Sequence, residues 1–138
     1  MFLLDTNIVS ELRRRRPHGA VLKWIESVPA DRLFISAVTV GEIQAGIETT
    51  REQDRTKAEE LEAWLERVVA TFRVLPMDAE TFRIWAQLKH GKSSALVEDA
   101  MIAATAVVHR LTVVTRNVRD FRALGADPLN PFQTFQYD

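Results

Sequence analysis

Asp5 and Asn117 each follow a predicted strand, where reactive side chains are often found in α/β proteins. Asp5 ends the apolar run Phe2–Leu4, and Asn117 follows the apolar run Leu111–Thr115. Because the loops at the carboxyl ends of parallel strands form the reactive edge of an open sheet, we expect both side chains at that edge. Asp5 followed by Thr6 and Asn7 is also a good start for a helix, so capping of the first helix is a second interpretation of Asp5.

Two further carboxylates, Asp99 and Glu42, lie beside apolar helical sequence. Asp99 begins a stretch in which residues 100–108 carry no charge, so its ionised side chain needs a partner at the mouth of a buried helix. Capping of that helix is the alternative. Glu42 lies about one residue away from the apolar stripe of its own helix, which favours a solvated surface residue. Its flanking glycines indicate instead that another backbone comes close.

The side chains that the sequence lacks narrow the chemistry. There is no cysteine, which excludes disulfides, thiolate nucleophiles and sulfur-ligated metals. The three histidines, His18, His90 and His109, are isolated and do not have the i, i+4 spacing of a metal site. No Gly-x-Ser-x-Gly motif of a serine hydrolase is present. A metal would therefore be held by oxygen or imidazole ligands.

The elements that position these residues follow from the apolar periodicity. Short apolar runs predict strands at 2–4, 33–37, 73–75 and 111–115, and helical spacing predicts helices at 8–12, 19–28, from 38, and at 52–72, 78–90 and 99–108. The last helix is apolar almost all round and is expected inside the protein. Because strands and helices alternate, the sequence predicts an α/β sandwich with a mainly parallel central sheet.

Length and composition predict one globular domain that spans residues 1–138. Hydrophobic residues make up 46% of the chain and charged residues 27%, the usual balance of a soluble globular protein. No run approaches the ~20 apolar residues of a membrane span. The first residues also lack the pattern of a signal peptide. We therefore expect a cytoplasmic protein without membrane contact.

The charge distribution indicates that any nucleic-acid binding would involve local clusters of basic residues. The formal net charge of -1 gives no global basic field. The run Arg13–Arg16 lies within about three helical turns of Asp5 if one helix joins them. It is either a solvated helix end, where cations suit the helix dipole, or a surface that binds phosphates.

Five sequence blocks, in order along the chain, resemble the VapC toxins of the PIN-domain family. The blocks are Leu3-Leu4-Asp5-Thr6-Asn7, Ser36-Ala37-Val38-Thr39-Val40-Gly41-Glu42, Glu98-Asp99-Ala100-Met101-Ile102-Ala103-Ala104-Thr105-Ala106, Val114-Thr115-Arg116-Asn117-Val118-Arg119-Asp120-Phe121 and Asn130-Pro131-Phe132. One block alone says little, whereas five in this order make the resemblance specific. It implies a PIN-domain-like three-layer α/β/α sandwich with a mainly parallel central sheet.

The resemblance also implies a catalytic set. The three acids that mark the family fall on Asp5, Glu42 and Asp99, as ligands of Mg²⁺ or of Mn²⁺ in its place. The fourth polar position, an aspartate in some members, falls on Asn117, and Asp120 three residues later is a possible substitute. An asparagine adds no charge, so this departure weakens the expectation of a second metal.

The implied activity is that of a metal-dependent endoribonuclease, the toxin of a toxin–antitoxin pair. Water activated by the metal hydrolyses RNA and leaves a 5′-phosphate and a 3′-hydroxyl. The resemblance further implies a homodimer and a VapB-like antitoxin that binds over the acidic groove. One alternative is a catalytically weak PIN-like module that binds RNA or protein, because the fourth acid is missing. Another is a small metal-dependent phosphatase, which Asn7 disfavours because phosphatases of the haloacid-dehalogenase type have a second aspartate at that position.

Overall fold

The computed structural model describes residues 1–133, and residues 134–138 of the predicted domain lie outside the described part. Two short 3-10 turns, Ala30–Arg32 and Ser94–Leu96, precede the second strand and the sixth helix. The other elements, in chain order, are β1 (Phe2–Leu4), α1 (Thr6–Leu12), α2 (Gly19–Ser27), β2 (Leu33–Ser36), α3 (Ala37–Arg51), α4 (Arg55–Thr71), β3 (Arg73–Leu75), α5 (Ala79–Lys89), α6 (Val97–His109), β4 (Thr112–Val114) and α7 (Val118–Ala123).

The strands of residues 1–133 form one sheet with the order β3-β2-β1-β4. Every pairing between these strands is parallel. Parallel neighbours need crossover connections, which here are helical, so the helices come to lie over the sheet. The predicted parallel sheet is therefore confirmed.

Side chains that alternate along the strands fill two separate cores. Leu3 and Val113 face one core, which they share with residues of α6 and α7. Leu4 and Val114 face the opposite core, together with residues of α1, α2 and α4. Because successive strand residues point to opposite faces, helices cover both sides of the sheet. The predicted α/β sandwich is confirmed.

Helix α6 is the apolar helix that the sequence predicts inside the protein. Most of its residues from Ala100 to Ala106 are buried. The helix begins at Val97, two residues before the predicted start at Asp99. Its N-cap is Leu96, whose side chain has no hydrogen-bonding atom, so the interpretation of Asp99 as the cap is wrong. Asp99 lies in the first turn of α6 instead, next to Glu98.

Two further elements differ from the prediction. The helix predicted over 52–72 begins at Arg55, because the Asp54 side chain accepts a hydrogen bond from the Lys57 backbone N–H at 3.0 Å and caps the helix there. Helix α7 has no counterpart among the predicted elements, since its six residues are too short to show helical periodicity. Its buried Phe121 packs into the core that contains Leu3. Within residues 1–133, no helix has the length and apolar character needed to cross a bilayer.

Candidate active site

Asp5 lies at the carboxyl end of β1 and begins α1. Its backbone N–H donates to the Val114 carbonyl at 2.9 Å, which fixes Asp5 beside β4. Only 4% of Asp5 is exposed. Its Oδ1 accepts a hydrogen bond from the Thr6 backbone N–H, and its Oδ2 accepts one from the Thr115 hydroxyl, each at 2.7 Å. Asp5 is thus both the cap of α1 and a buried carboxylate at the predicted sheet edge.

A hydrogen-bonded network joins the loops that follow β1 and β4. The Asn7 side-chain amide donates to Asp5 Oδ2 and to Thr115 Oγ1, each at 3.3 Å. The Asn117 backbone N–H donates to Thr115 Oγ1 at 2.9 Å. Asn117 therefore lies at the same edge as Asp5, as predicted. Neither Asn7 nor Thr115 was predicted as a site residue, although each lies within three residues of a strand end.

Glu42 reaches this edge from α3. Its Oε1 accepts a hydrogen bond from the Thr6 hydroxyl at 2.9 Å. Burial, a hydrogen-bonding contact with Glu98 and the negative charges of Glu98 and Asp5 together raise the pKa of Glu42 to about 7, against the Thr6 hydrogen bond, which lowers it. The interpretation of Glu42 as a solvated surface residue is therefore wrong. Glu98, which lies in the first turn of α6 and acts on Glu42, was not predicted as a site residue.

Asp99 is a further carboxylate at this edge of the sheet. It is half-buried, and burial followed by the charges of Asp5, Asp120 and Glu98 raises its pKa to about 6. Charge coupling of this kind needs the groups to be near one another, because screening removes it at long range. Asp120, in the first turn of α7, thus belongs to the same edge as Asp99.

The chemistry of these side chains suits a hard divalent cation. The edge carries five acids, which are Asp5, Glu42, Glu98, Asp99 and Asp120. Mg²⁺ prefers oxygen ligands, and its charge would relieve the repulsion that contributes to the raised pKa values. Within residues 1–133, however, no three acids or histidines stand close enough to form a ready set of metal ligands. The donor types therefore fit the ion, and the predicted ligand set stays a prediction.

The arginine run that follows α1 divides into parts with different surroundings. Arg13 lines a groove of about 410 Å³ that extends to Thr6 and Glu42. Arg14 forms an ion pair with Glu11 at 3.3 Å. The run begins at the C-cap of α1 and continues beyond the helix. Phosphate binding by Arg13–Arg16 stays a prediction, with Arg13 nearest to the acidic edge.

Known proteins share this fold and sequence. The chain matches the PIN domain family over residues 2–126. It is 39% identical to VapC ribonuclease Y4jK of Sinorhizobium fredii (strain NBRC 101917 / NGR234), with 96% of this chain and 99% of the relative covered. The crystal structure of FitAcB from Neisseria gonorrhoeae superposes with a TM-score of 0.84 at 36% identity, covering 96% of this chain and 99% of that chain.

A toxin–antitoxin complex from Klebsiella pneumoniae is similar as well, with a TM-score of 0.69 at 26% identity over 95% of this chain and 98% of that chain. The parallel α/β sandwich of this chain is thus a known architecture. The chain belongs to the PIN-domain family, in its VapC group of ribonuclease toxins. This confirms the resemblance and the ribonuclease class that the five sequence blocks predict.

Proposed function

We propose that this protein is a Mg²⁺-dependent endoribonuclease, able to use Mn²⁺ instead, that hydrolyses RNA in the cytoplasm as the toxin of a VapBC-type pair. The observation that carries the proposal is the group of carboxylates at the carboxyl edge of the sheet, of which Asp5, Glu42 and Asp99 have raised pKa values. Strongly perturbed carboxylates are frequent at catalytic sites. Membership of the VapC group supports RNA as the substrate class.

Each side chain at the edge has a role in the proposed mechanism that follows from its position. Asp5 and Asp99 would hold the metal, and Glu42 would be either a further ligand or the base that positions the attacking water. When bound, Mg²⁺ lowers the pKa of a water molecule and offsets charge on the phosphate. Thr115 holds the Asp5 carboxylate through its hydrogen bond of 2.7 Å. Thr6 does the same for Glu42 at 2.9 Å.

Asn117 and Asp120 have supporting roles in this proposal. Both lie on the segment that follows β4, and both line one cleft beside the edge. Asn117 is exposed and uncharged, so it orients water or substrate without adding to the ligand charge. Asp120 acts on Asp99 through its negative charge. This distribution favours one tightly held ion over two.

The proposal includes two protein partners. The similar structure from Klebsiella pneumoniae is a toxin–antitoxin complex, which supports a cognate VapB-like antitoxin for this chain. The antitoxin covers the acidic edge and so keeps RNA away from it. The toxin itself forms a homodimer, and no membrane takes part.

A catalytically weak module that binds RNA is the second candidate. Two observations favour it: Asn117 in place of a fourth acid, and the absence of a ready ligand set within residues 1–133. This candidate predicts RNA binding without metal-dependent turnover. The phosphatase alternative has no supporting observation in the described structure.

Incubation of the purified, antitoxin-free protein with defined RNAs separates these candidates. We expect cleavage with Mg²⁺ or Mn²⁺, none with a chelator, and products that end in 5′-phosphate and 3′-hydroxyl. The Asp5→Asn variant, prepared in the same way, controls for contaminating ribonucleases. Binding without cleavage at any metal concentration would support the weak module, and 2′,3′-cyclic phosphate ends would exclude the proposed nucleophile.

A further inference from the structure

A second feature lies next to the acidic edge, formed by the loop after β4 and by α7. It is an open cleft of about 770 Å³. Its lining includes three arginines, Arg116, Arg119 and Arg122, and a single acid, Asp120. Asn117 lines the same cleft. The Asn117 backbone N–H donates to Thr115 Oγ1 at 2.9 Å, and the Thr115 hydroxyl donates to Asp5 Oδ2 at 2.7 Å, so the cleft opens beside the carboxylates of the candidate site.

Arg116 is held in place at the junction between the site and the cleft. Its guanidinium carbon lies 3.9 Å from the centre of the Phe132 ring, a cation–π contact. Its backbone N–H donates to the Asn7 side-chain oxygen at 3.3 Å, and Asn7 in turn contacts Asp5. The guanidinium thus stacks on an aromatic face beside the candidate site.

Arg119 and Arg122 carry charge that the described protein does not neutralise. Side chains three residues apart lie on the same side of a helix, so both guanidiniums extend from one side of α7. Both residues are exposed. Within residues 1–133, neither forms an ion pair, in contrast to Arg51, which pairs with Glu48 and Glu62.

We propose that this arginine cleft, formed by Arg116, Arg119 and Arg122, binds the phosphates of the RNA strand on one side of the scissile bond and so positions that bond at the acidic edge. The inference rests on the proposed ribonuclease function. Five acids at the edge repel a polyanion, and the chain as a whole has a formal charge of -1. RNA therefore needs local cations beside the edge, and a guanidinium matches phosphate with two parallel hydrogen bonds.

The test uses a double variant, Arg119→Gln with Arg122→Gln. Its control is Arg67→Gln with Arg83→Gln, which removes the same charge from exposed residues on α4 and α5, outside the cleft. All binding is measured in an Asp5→Asn background, where RNA stays intact, by the fluorescence anisotropy of a labelled oligonucleotide at several salt concentrations. Loss of two phosphate contacts should make the slope of log K against log salt shallower by about 1.4, because each contact to a single strand contributes about 0.7.

Kinetics in the otherwise unchanged protein give a second readout. We expect the cleft variant to raise KM roughly tenfold with kcat within about twofold of the parent, because uniform binding is lost and the chemistry is kept. The control variant should keep parental KM and salt slope. Thermal melts establish that both variants fold, which the exposure of all four arginines leads us to expect.

The outcomes separate this inference from the proposed function. If the parent cleaves no RNA, the ribonuclease proposal fails, and the salt slopes still decide whether the arginine cleft binds RNA. If the parent cleaves RNA and the cleft variant matches the control in both slope and KM, the cleft inference is overturned.

Discussion

Asp5 and Asp78, two of the aspartates that cap helices in this protein, have pKa values shifted in opposite directions. Asp78 begins α5, and its carboxylate accepts hydrogen bonds from the Thr81 backbone N–H at 3.0 Å and from the Thr81 hydroxyl at 2.6 Å. These hydrogen bonds lower the pKa of the exposed Asp78. Asp5 begins α1 with equally short hydrogen bonds, yet burial raises its pKa. The cap motif is thus shared, and the surroundings decide whether the ionised carboxylate is favourable.

The difference between Asp78 and Asp5 indicates where ionised carboxylates destabilise the folded protein. At Asp78 the charged form is satisfied locally and serves the helix. At the edge, Asp5, Glu42 and Asp99 are held where ionisation is costly, through burial and, for the last two, repulsion by other acids. A site that keeps unneutralised negative charge is suited to bind a cation, and such a site reduces the stability of the metal-free protein.

The largest expected effect is on catalysis. Asp5→Asn or Asp99→Asn should reduce metal-dependent RNA cleavage by roughly 100-fold or more, because each removes a ligand charge that supports several kcal/mol of transition-state stabilisation. Asp78→Asn changes the same atoms in the other cap and should cleave at the parental rate. Initial rates on one defined RNA provide the measurement. Parental activity in either edge variant would remove that residue from the site.

The next effect is on stabilisation by metal. Mn²⁺ at ~100 times its Kd should stabilise the parent by about 2.7 kcal/mol, because it binds the folded edge and not the dispersed acids of the unfolded chain. For a domain of this size we expect a rise in Tm of several degrees. Asp99→Asn should respond much less, and Asp78→Asn should respond like the parent. Melting curves in chelator and in Mn²⁺ test this; equal shifts in all three proteins would place the metal elsewhere.

A smaller effect is expected on the pH dependence of stability, which differs in sign between Glu42 and Asp78. The pKa of Glu42 is raised from 4.5 to about 7, so over this range the folded protein binds a proton that the unfolded chain has released. Metal-free stability should therefore fall as pH rises from about 4.5 to about 7. The lowered pKa of Asp78 has the opposite sign, since its contribution is present above the unfolded value and is lost as pH falls.

Urea titrations of the chelated protein across this range, on the parent and on Glu42→Gln, provide the measurement. The variant has no carboxylate to titrate at this position, so its stability should depend less on pH. It should also be at least as stable as the parent near neutral pH. Identical pH profiles would show that Glu42 ionises as freely as a surface residue.

The smallest effect is expected at the exposed cap. Asp78→Ala removes the acceptor for two hydrogen bonds at the start of α5 and should lower Tm by a few degrees. Cleavage and the response to metal should be unchanged, because Asp78 lies on a different element from the carboxylates of the edge. A thermal melt and the standard cleavage assay check both statements. Loss of activity in a folded Asp78→Ala protein would contradict the contrast between the two caps.

Much of the scaffold could be predicted because its signals are local. Apolar runs predicted the four strands, and the uncharged stretch after Asp99 predicted the buried helix α6. Asp5 and Asn117 could be placed at one edge, since Asp5 directly follows a strand and Asn117 lies in the loop after another. The family blocks added Glu42 and Asp120, which periodicity alone did not favour. Helix α7 and the start of α6 were beyond local patterns, because one is short and the other has no capping side chain.

The strands, the buried helix and the acids that follow strand ends could all be recognised from the sequence, because periodicity and chain order are properties of neighbouring residues. Which acids lie close to one another depends on how the helices pack in three dimensions. Helix α3 contacts α6, and Glu42 meets Thr6 across 36 positions of sequence at 2.9 Å. The contact of Glu42 with Glu98 and the arrangement of the arginine cleft beside the edge have the same origin. Electrostatic energies depend on the distances between charged groups and on their burial, and both are set by the folded structure rather than by the order of residues along the chain.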